Sequence, residues 1–216
     1  EQFIWDPTTN YIDPTAFESV YGVINLAGTS LAGNRWTDDY KHELIKSRVS
    51  TTLLLVKAIN SLISKPKIFI QHVGIGIYGH RPNETLTEAS ATAQRGFIPS
   101  LCHEWENALQ GLSPEVRSIL VRTGIVLNMK GGYLAKTKLP GRFGFSPLFG
   151  NGHQIYSWIH LYDLCHATAF MIENQGLEGI LNLTSPNPVS QSRIARSMTK
   201  KFIGFAIPLP IPVRLL

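Results

Sequence analysis

Residues 21–73 read YGVINLAGTSLAGNRWTDDYKHELIKSRVSTTLLLVKAINSLISKPKIFIQHV, and this stretch decides the fold class. An apolar, β-branched run from Tyr21 to Leu26 ends in the small residues Ala27 and Gly28. A helical pattern then extends from Thr37 to Ser61, with Leu44, Val49, Leu53, Leu54, Val56 and Ile59 recurring at roughly helical spacing. Thr37-Asp38-Asp39 suits its start: a hydroxyl can accept from the free N–H groups, and two carboxylates meet the positive end of the dipole. So long a pattern predicts a break along its course. A second apolar run, Lys67 to Val73, completes a strand–helix–strand unit, which favours a parallel sheet.

Two further strands are expected outside this unit, at Arg117–Leu127 and Gly179–Leu183, with helices at Ile98–Leu109 and Leu161–Glu173. Strands alternating with helices give an α/β class, a doubly wound parallel sheet. Residues 128–154 differ: glycines and two prolines interleave with Phe143, Phe145, Leu148 and Phe149, without a sustained period. They read either as a long ordered loop over a pocket mouth or as a plain surface excursion. After Ser190 a short helix is expected, and the prolines from Phe205 to Val213 forbid a regular one.

The chain has 216 residues, 44% hydrophobic and 16% charged, enough to bury a core, so disordered and fibrous classes are excluded and one large domain is expected. The formal charge of +5 is scattered, with no basic cluster longer than Lys200-Lys201, so no nucleic-acid partner is expected. Cys102 and Cys165 form neither a disulfide framework nor a metal-ligand spacing, which suits a reducing, intracellular setting, cytoplasmic or mitochondrial. No apolar run reaches the roughly 18 residues of a membrane span, and no signal peptide is visible, so no membrane partner is expected either.

Gly74-Ile-Gly-Ile-Tyr-Gly79 matches G-x-G-x-x-G and follows a strand, as a dinucleotide fingerprint would. A fingerprint, however, must lead into a helix whose first amides hold the diphosphate, and here His80-Arg81-Pro82-Asn83 is a turn sequence. The stretch reads better as a strand end whose glycines allow a tight exit.

Several pieces coincide along the chain: Trp5-Asp6-Pro7, Val23-Ile24-Asn25-Leu26-Ala27-Gly28, Arg35-Trp36, Ser47-Arg48, Tyr78-Gly79, Trp105-Glu106, Arg122-Thr-Gly-Ile-Val-Leu127, Ser157-Trp-Ile-His-Leu-Tyr-Asp163 and Asn182-Leu-Thr-Ser-Pro-Asn-Pro188. With them the sequence resembles the extended short-chain dehydrogenase/reductase superfamily, and within it the epimerase family subgroup, similar to NAD-dependent sugar epimerases. The resemblance implies an NADP-type Rossmann domain over residues 1–190, including a substrate-side loop 128–154, and the start of a small C-terminal subdomain over 191–216. It also implies that the family's first strand and glycine-rich turn precede Glu1. The chain would then be truncated at both ends relative to the family, with tight NADP binding at risk.

The superfamily uses a strand-end Ser or Thr and a Tyr-x-x-x-Lys helix to move a proton during hydride transfer. Carried over residue by residue, the hydroxyl position falls on Val73 or Gly74, the Tyr on Ile98 and the Lys on Cys102. None of these can do that chemistry, and no catalytic residue is assigned. The resemblance therefore implies either an NADP(H)-dependent oxidoreductase or sugar-nucleotide-epimerase-like protein acting on a small molecule, or a catalytically silent dinucleotide-binding or scaffold protein. A homodimer is compatible with both.

The candidate cofactor residues are Leu26, Ala27, Gly28, Glu43, Arg48 and Val126. Leu26–Gly28 would let the backbone approach the adenosine half of the cofactor; the plainer alternative is a packed strand exit. Arg48 could meet a phosphate or ribose and Glu43 a hydroxyl; otherwise they form a solvated charged face. Val126 ends a strand where the superfamily holds the nicotinamide, or is simply core. His160 and Asp163 could pair as acid and base, or structure a helix start. Their spacing with His166 does not converge on a metal, and none is expected. Cys102 beside His103 reads as a packed thiol.

Overall fold

The computed structural model describes residues 1–211, so Pro212 and Val213, the end of the proline-rich stretch, lie outside the described residues. In chain order the elements are β1 (Trp5–Asp6), β2 (Tyr11–Ile12), β3 (Gly22–Asn25), α1 (Asp38–Ser61), β4 (Ile68–Gly74), α2 (Phe97–Asn107), β5 (Arg117–Thr123), β6 (Ile125–Leu127), α3 (Gly132–Arg142), β7 (Phe145–Phe149), β8 (Ile155–Tyr156), β9 (Trp158–His160), α4 (Leu161–Glu173), β10 (Gly179–Leu183), β11 (Val189–Ser190), α5 (Gln191–Ile203) and β12 (Ile207–Ile211). The chain divides into two compact units: Glu1–Arg81, Thr85–Arg122 and Phe170–Asn182 form the first, and Pro82–Glu84, Thr123–Ala169 and 183–216 the second.

The first unit is built on a parallel sheet of order β10-β5-β4-β3, as the α/β class requires. β3 and β4 pair in parallel with Val23 opposite Phe69 and Asn25 opposite Gln71. Helix α1 runs unbroken, contrary to the expected interruption. Thr37 caps it by accepting from Tyr40 N–H at 3.2 Å, and the buried stripe Tyr40, Leu44, Arg48, Thr52, Leu55, Val56, Ile59 continues along its length. A stripe that never changes side gives the sheet one continuous face to cover, so nothing forces a kink. Leu55, Val56 and Ile59 pack with Phe69, Leu109 and Val116. Burying a side chain such as Phe69 stabilises by about 1.5–3 kcal/mol.

The exit from β4 is a single 3₁₀ turn, Ile75–Tyr78, closed by Gly79 at φ 69°. Ile77 and Tyr78 are buried, and a Cβ on Gly76 would lie 2.4 Å from Ile98 Cγ2. The glycines thus serve a tight turn against α2, and no helix follows directly to receive a phosphate.

The expected strand Arg117–Leu127 is two strands. Gly124 separates β5, in the sheet of the first unit, from β6, which pairs in parallel with β9 through Val126 and Ile159 in the second. A Cβ on Gly124 would sit 2.7 Å from Ser157 O, so only glycine admits this approach. The second unit also corrects the reading of residues 128–154, which hold α3 and β7 rather than a long loop. β7 pairs in parallel with β12, the form taken by the stretch in which a helix was excluded. Between α3, β7 and α5 the fully buried Gln191 donates to Tyr133 Oη at 2.7 Å and to Pro147 O at 2.9 Å. Ser190 caps α5 by accepting from Arg193 N–H, and Gly204 ends it in the left-handed conformation.

Candidate functional site

β3 ends at the buried Asn25, whose side chain reaches three elements at once. Its Nδ2 donates to Gln71 Oε1 on β4 at 2.9 Å and to Thr52 Oγ1 on α1 at 3.1 Å, while its Oδ1 accepts from Ala27 N–H at 3.1 Å. Thr52 Oγ1 also accepts from Trp105 Nε1–H of α2 at 3.1 Å. Every member finds a partner, as buried polar groups require. The network fixes where the strand stops and the chain turns out, leaving Leu26 and Gly28 exposed and Ala27 half-buried.

Arg48 is buried beneath this exit, 7% exposed, rather than part of a solvated face. Its Nη1 donates to Leu44 O at 3.0 Å and its Nη2 to Thr29 O at 2.8 Å, and the guanidinium lies 5.1 Å from the Trp105 ring centroid. Among the described residues no carboxylate pairs with it. Burial pushes its pKa below the ordinary arginine value. An Arg without a counter-charge, held by neutral carbonyls and a ring face, remains a net cation able to bind an anion. The exposed Glu43 accepts from Thr29 Oγ1 at 3.2 Å, and Ser47 Oγ accepts from Thr29 N–H at 3.1 Å. Leu26, Ala27, Gly28, Glu43 and Arg48 therefore come together at one end of the first unit. Val126 is half-buried on β6 in the second unit, opposite Ile159.

Val73, Ile98 and Cys102, onto which the resemblance maps the proton-transfer positions, lie in apolar surroundings. Val73, Ile77, Tyr78 and Cys102 form one buried cluster, with Ile98 packed against it. Burial pushes the Cys102 thiol up to about 11, so it is neutral at physiological pH. His160 and Asp163 are both exposed, and His160 Nδ1 accepts from Tyr162 N–H at 3.2 Å, the geometry of a helix start. His166 donates to Tyr162 O at 2.8 Å. No three His, Cys, Asp or Glu side chains among the described residues converge as a metal requires.

One assembly carries no role in the sequence reading. Arg122 Nε and Nη2 donate to the two oxygens of Glu106 at 2.8 and 2.9 Å, and Nη1 donates to Tyr78 Oη at 3.0 Å. Tyr78 Oη donates in turn to Asn182 Oδ1 at 2.7 Å, and Glu88 accepts from Asn182 N–H at 2.6 Å. The hydrogen bonds to Glu106 raise the Arg122 pKa above its ordinary value. The available signal was an Arg inside the apolar run Ser118–Leu127, since a charge buried in a strand must be paired. Nothing local named its partner.

No family model matches the chain. It is 35% identical to an Epimerase family protein of Mycobacterium leprae over 216 residues, all of this chain and 68% of that protein. It is 35% identical to the Epimerase family protein YfhF of Bacillus subtilis over 178 residues, 82% of this chain and 58% of that protein. Among solved structures, the human epimerase family protein SDR39U1, crystallised with NADPH, superposes with a TM-score of 0.85 at 29% identity, over 90% of this chain and 66% of that one. The chain thus spans between about three-fifths and two-thirds of the length of these relatives. With that similarity along its whole length, and with a Rossmann-type parallel sheet, the chain belongs to the epimerase family within the extended short-chain dehydrogenase/reductase superfamily.

Proposed function

We propose that the carboxyl end of β3, with α1 beside it, holds a nicotinamide dinucleotide, NADP(H), and that the protein is an oxidoreductase or sugar-nucleotide-epimerase-like protein acting on a small molecule. The observation that carries this is Arg48, a buried cation without a carboxylate partner beside an exposed strand end. A diphosphate or phosphate would supply the missing counter-charge. The NADPH bound to the human relative supports the choice of cofactor.

When bound, the nicotinamide would supply or accept a hydride. The chain's own residues would do the rest of the binding. The small exit Ala27-Gly28 gives the ligand room, Arg48 neutralises a phosphate, and Glu43 accepts from a ribose hydroxyl. No group at Val73, Ile98 or Cys102 can pass a proton, and a neutral thiol in an apolar cluster gives a second reading its own support: a protein that binds the dinucleotide and does not turn it over.

Calorimetric titration of NADPH and NADH, with wild type and Arg48→Met, tests the proposal. Micromolar binding, about −8 kcal/mol, weakened in Arg48→Met, is the expected result. Absence of binding by the wild type, both as this chain and as a version extended at its N-terminus to the family's length, rejects the dinucleotide reading. Binding without turnover over a panel of carbonyl and sugar-nucleotide substrates decides for the silent protein.

A further inference from the structure

The two units differ sharply in charge. The second holds nine Lys and Arg against two acids, Glu84 and Asp163, a formal +7, whereas the first holds eleven against thirteen, −2. The basic residues of the second unit meet exposed apolar ones where α3 and α5 both end. A Cβ on Gly141 would lie 3.4 Å from the Phe202 ring, and one on Gly144 would lie 2.7 Å from Ile203 and 2.9 Å from Phe205, so the two helix ends are in contact. Around them Arg142, Lys200 and Lys201 are exposed, and Phe143 is 70%, Phe205 52% and Ile207 49% exposed.

We propose that this face docks on an anionic lipid surface, with the cations at the phosphate level and Phe143, Phe205 and Ile207 entering the headgroup boundary. Positive charge around exposed aromatic and aliphatic side chains is the pattern of interfacial association. It requires no spanning helix, and none of the described helices is long and apolar enough to be one. Strand addition by a second copy is disfavoured, because Pro208 and Pro210 remove N–H donors from β12, which among the described residues pairs with β7 alone. A nucleic acid would use the same charge and could stack on Phe143 and Phe205, so single-stranded RNA enters the test as the competing ligand; the aliphatic Ile207 beside the two rings favours the lipid surface. This role is independent of dinucleotide binding.

Co-sedimentation of the full chain with vesicles tests it. The protein partitions onto phosphatidylcholine vesicles containing about 30% phosphatidylserine and not onto phosphatidylcholine alone, and it is released as salt rises from about 0.1 to about 0.5 M. Lys200→Glu with Lys201→Glu lowers the partition about tenfold. Phe143→Ser with Phe205→Ser weakens it while the salt dependence persists, all four positions being exposed enough for circular dichroism to stay unchanged. Equal partition onto both vesicle types, or unchanged partition of the charge-reversed variant, overturns the proposal. So does tighter binding to single-stranded RNA than to vesicles, or a dimer in sedimentation velocity that Phe143→Ser abolishes.

Discussion

The guanidinium of Arg48 lies 5.1 Å from the ring centroid of Trp105, while the edge of that ring is fixed by its Nε1–H bond to Thr52 at 3.1 Å. The indole is thus tied down at one edge and offers its face to a buried cation. A ring face attracts a cation without neutralising it, so Arg48 keeps its full charge. A carboxylate in the same place would have cancelled it.

Replacing Arg48 by Met keeps much of the volume and removes the charge. The urea-unfolding free energy of the ligand-free protein should change by no more than about 1 kcal/mol, because loss of the desolvation penalty offsets loss of the hydrogen bonds to Leu44 O, Ser47 Oγ and Thr29 O. NADPH affinity should fall by about tenfold or more, about 1.4 kcal/mol. A large loss of stability with unchanged affinity would show a purely structural arginine.

Glu106→Ala should lower the unfolding free energy by about 3–5 kcal/mol, since it strands a buried guanidinium. Glu106→Leu combined with Arg122→Met should recover most of that loss, because the pair then leaves together. A double-mutant cycle in urea measures both. Additive losses would mean that the pair is not coupled as its two short contacts require.

Stability should depend on pH through His72, which burial holds at about 4 against an ordinary 6.5. Its folded pKa lies below its unfolded one, so the unfolded chain binds the extra proton first. Stability is therefore full above pH 6.5 and falls as pH drops toward 4, by about 3 kcal/mol across the window. His72→Gln should flatten the part of the slope that unfolding at pH 7.5, 6, 5 and 4.5 assigns to this residue. An unchanged slope in the variant would refute the assignment.

The two cysteines should react at different rates. Cys165 is exposed, while Cys102 is buried with its thiol at about 11. Iodoacetamide at pH 8 should label Cys165 at least about tenfold faster, because only the thiolate attacks. Peptide mass spectrometry over time measures the ratio, and equal rates would mean that the α2 cluster opens readily.

The α/β class and helix α1 were legible because their signals are local: a Thr-Asp-Asp start, a single apolar stripe, and strands bounded by small residues. Helix α3 was hidden because its buried positions are Thr137 and Gly141, which carry no hydrophobic period, and Pro140 stands in its last turn. The break at Gly124 was invisible because the apolar run continues through it; only the approach of Ser157 explains it. At the candidate site, the sequence singles out Leu26–Gly28 and Arg48 by residue type, but the ring against which the Arg48 guanidinium lies belongs to Trp105, 57 residues on, which no spacing rule connects. Tyr78 and Asn182 are 104 positions apart, so their bond exists only in the folded chain.

The amide of Asn25 has one further consequence. It touches Gln71, Thr52 and Ala27, so a slip of β3 by one residue would swap it for Ile24 or Leu26 and remove all three of these hydrogen bonds at once. The strand therefore has a single setting. Residues 29–36 follow that lock, so the point at which they leave the sheet, the exit at Gly28, is set by β3 and not by their own length.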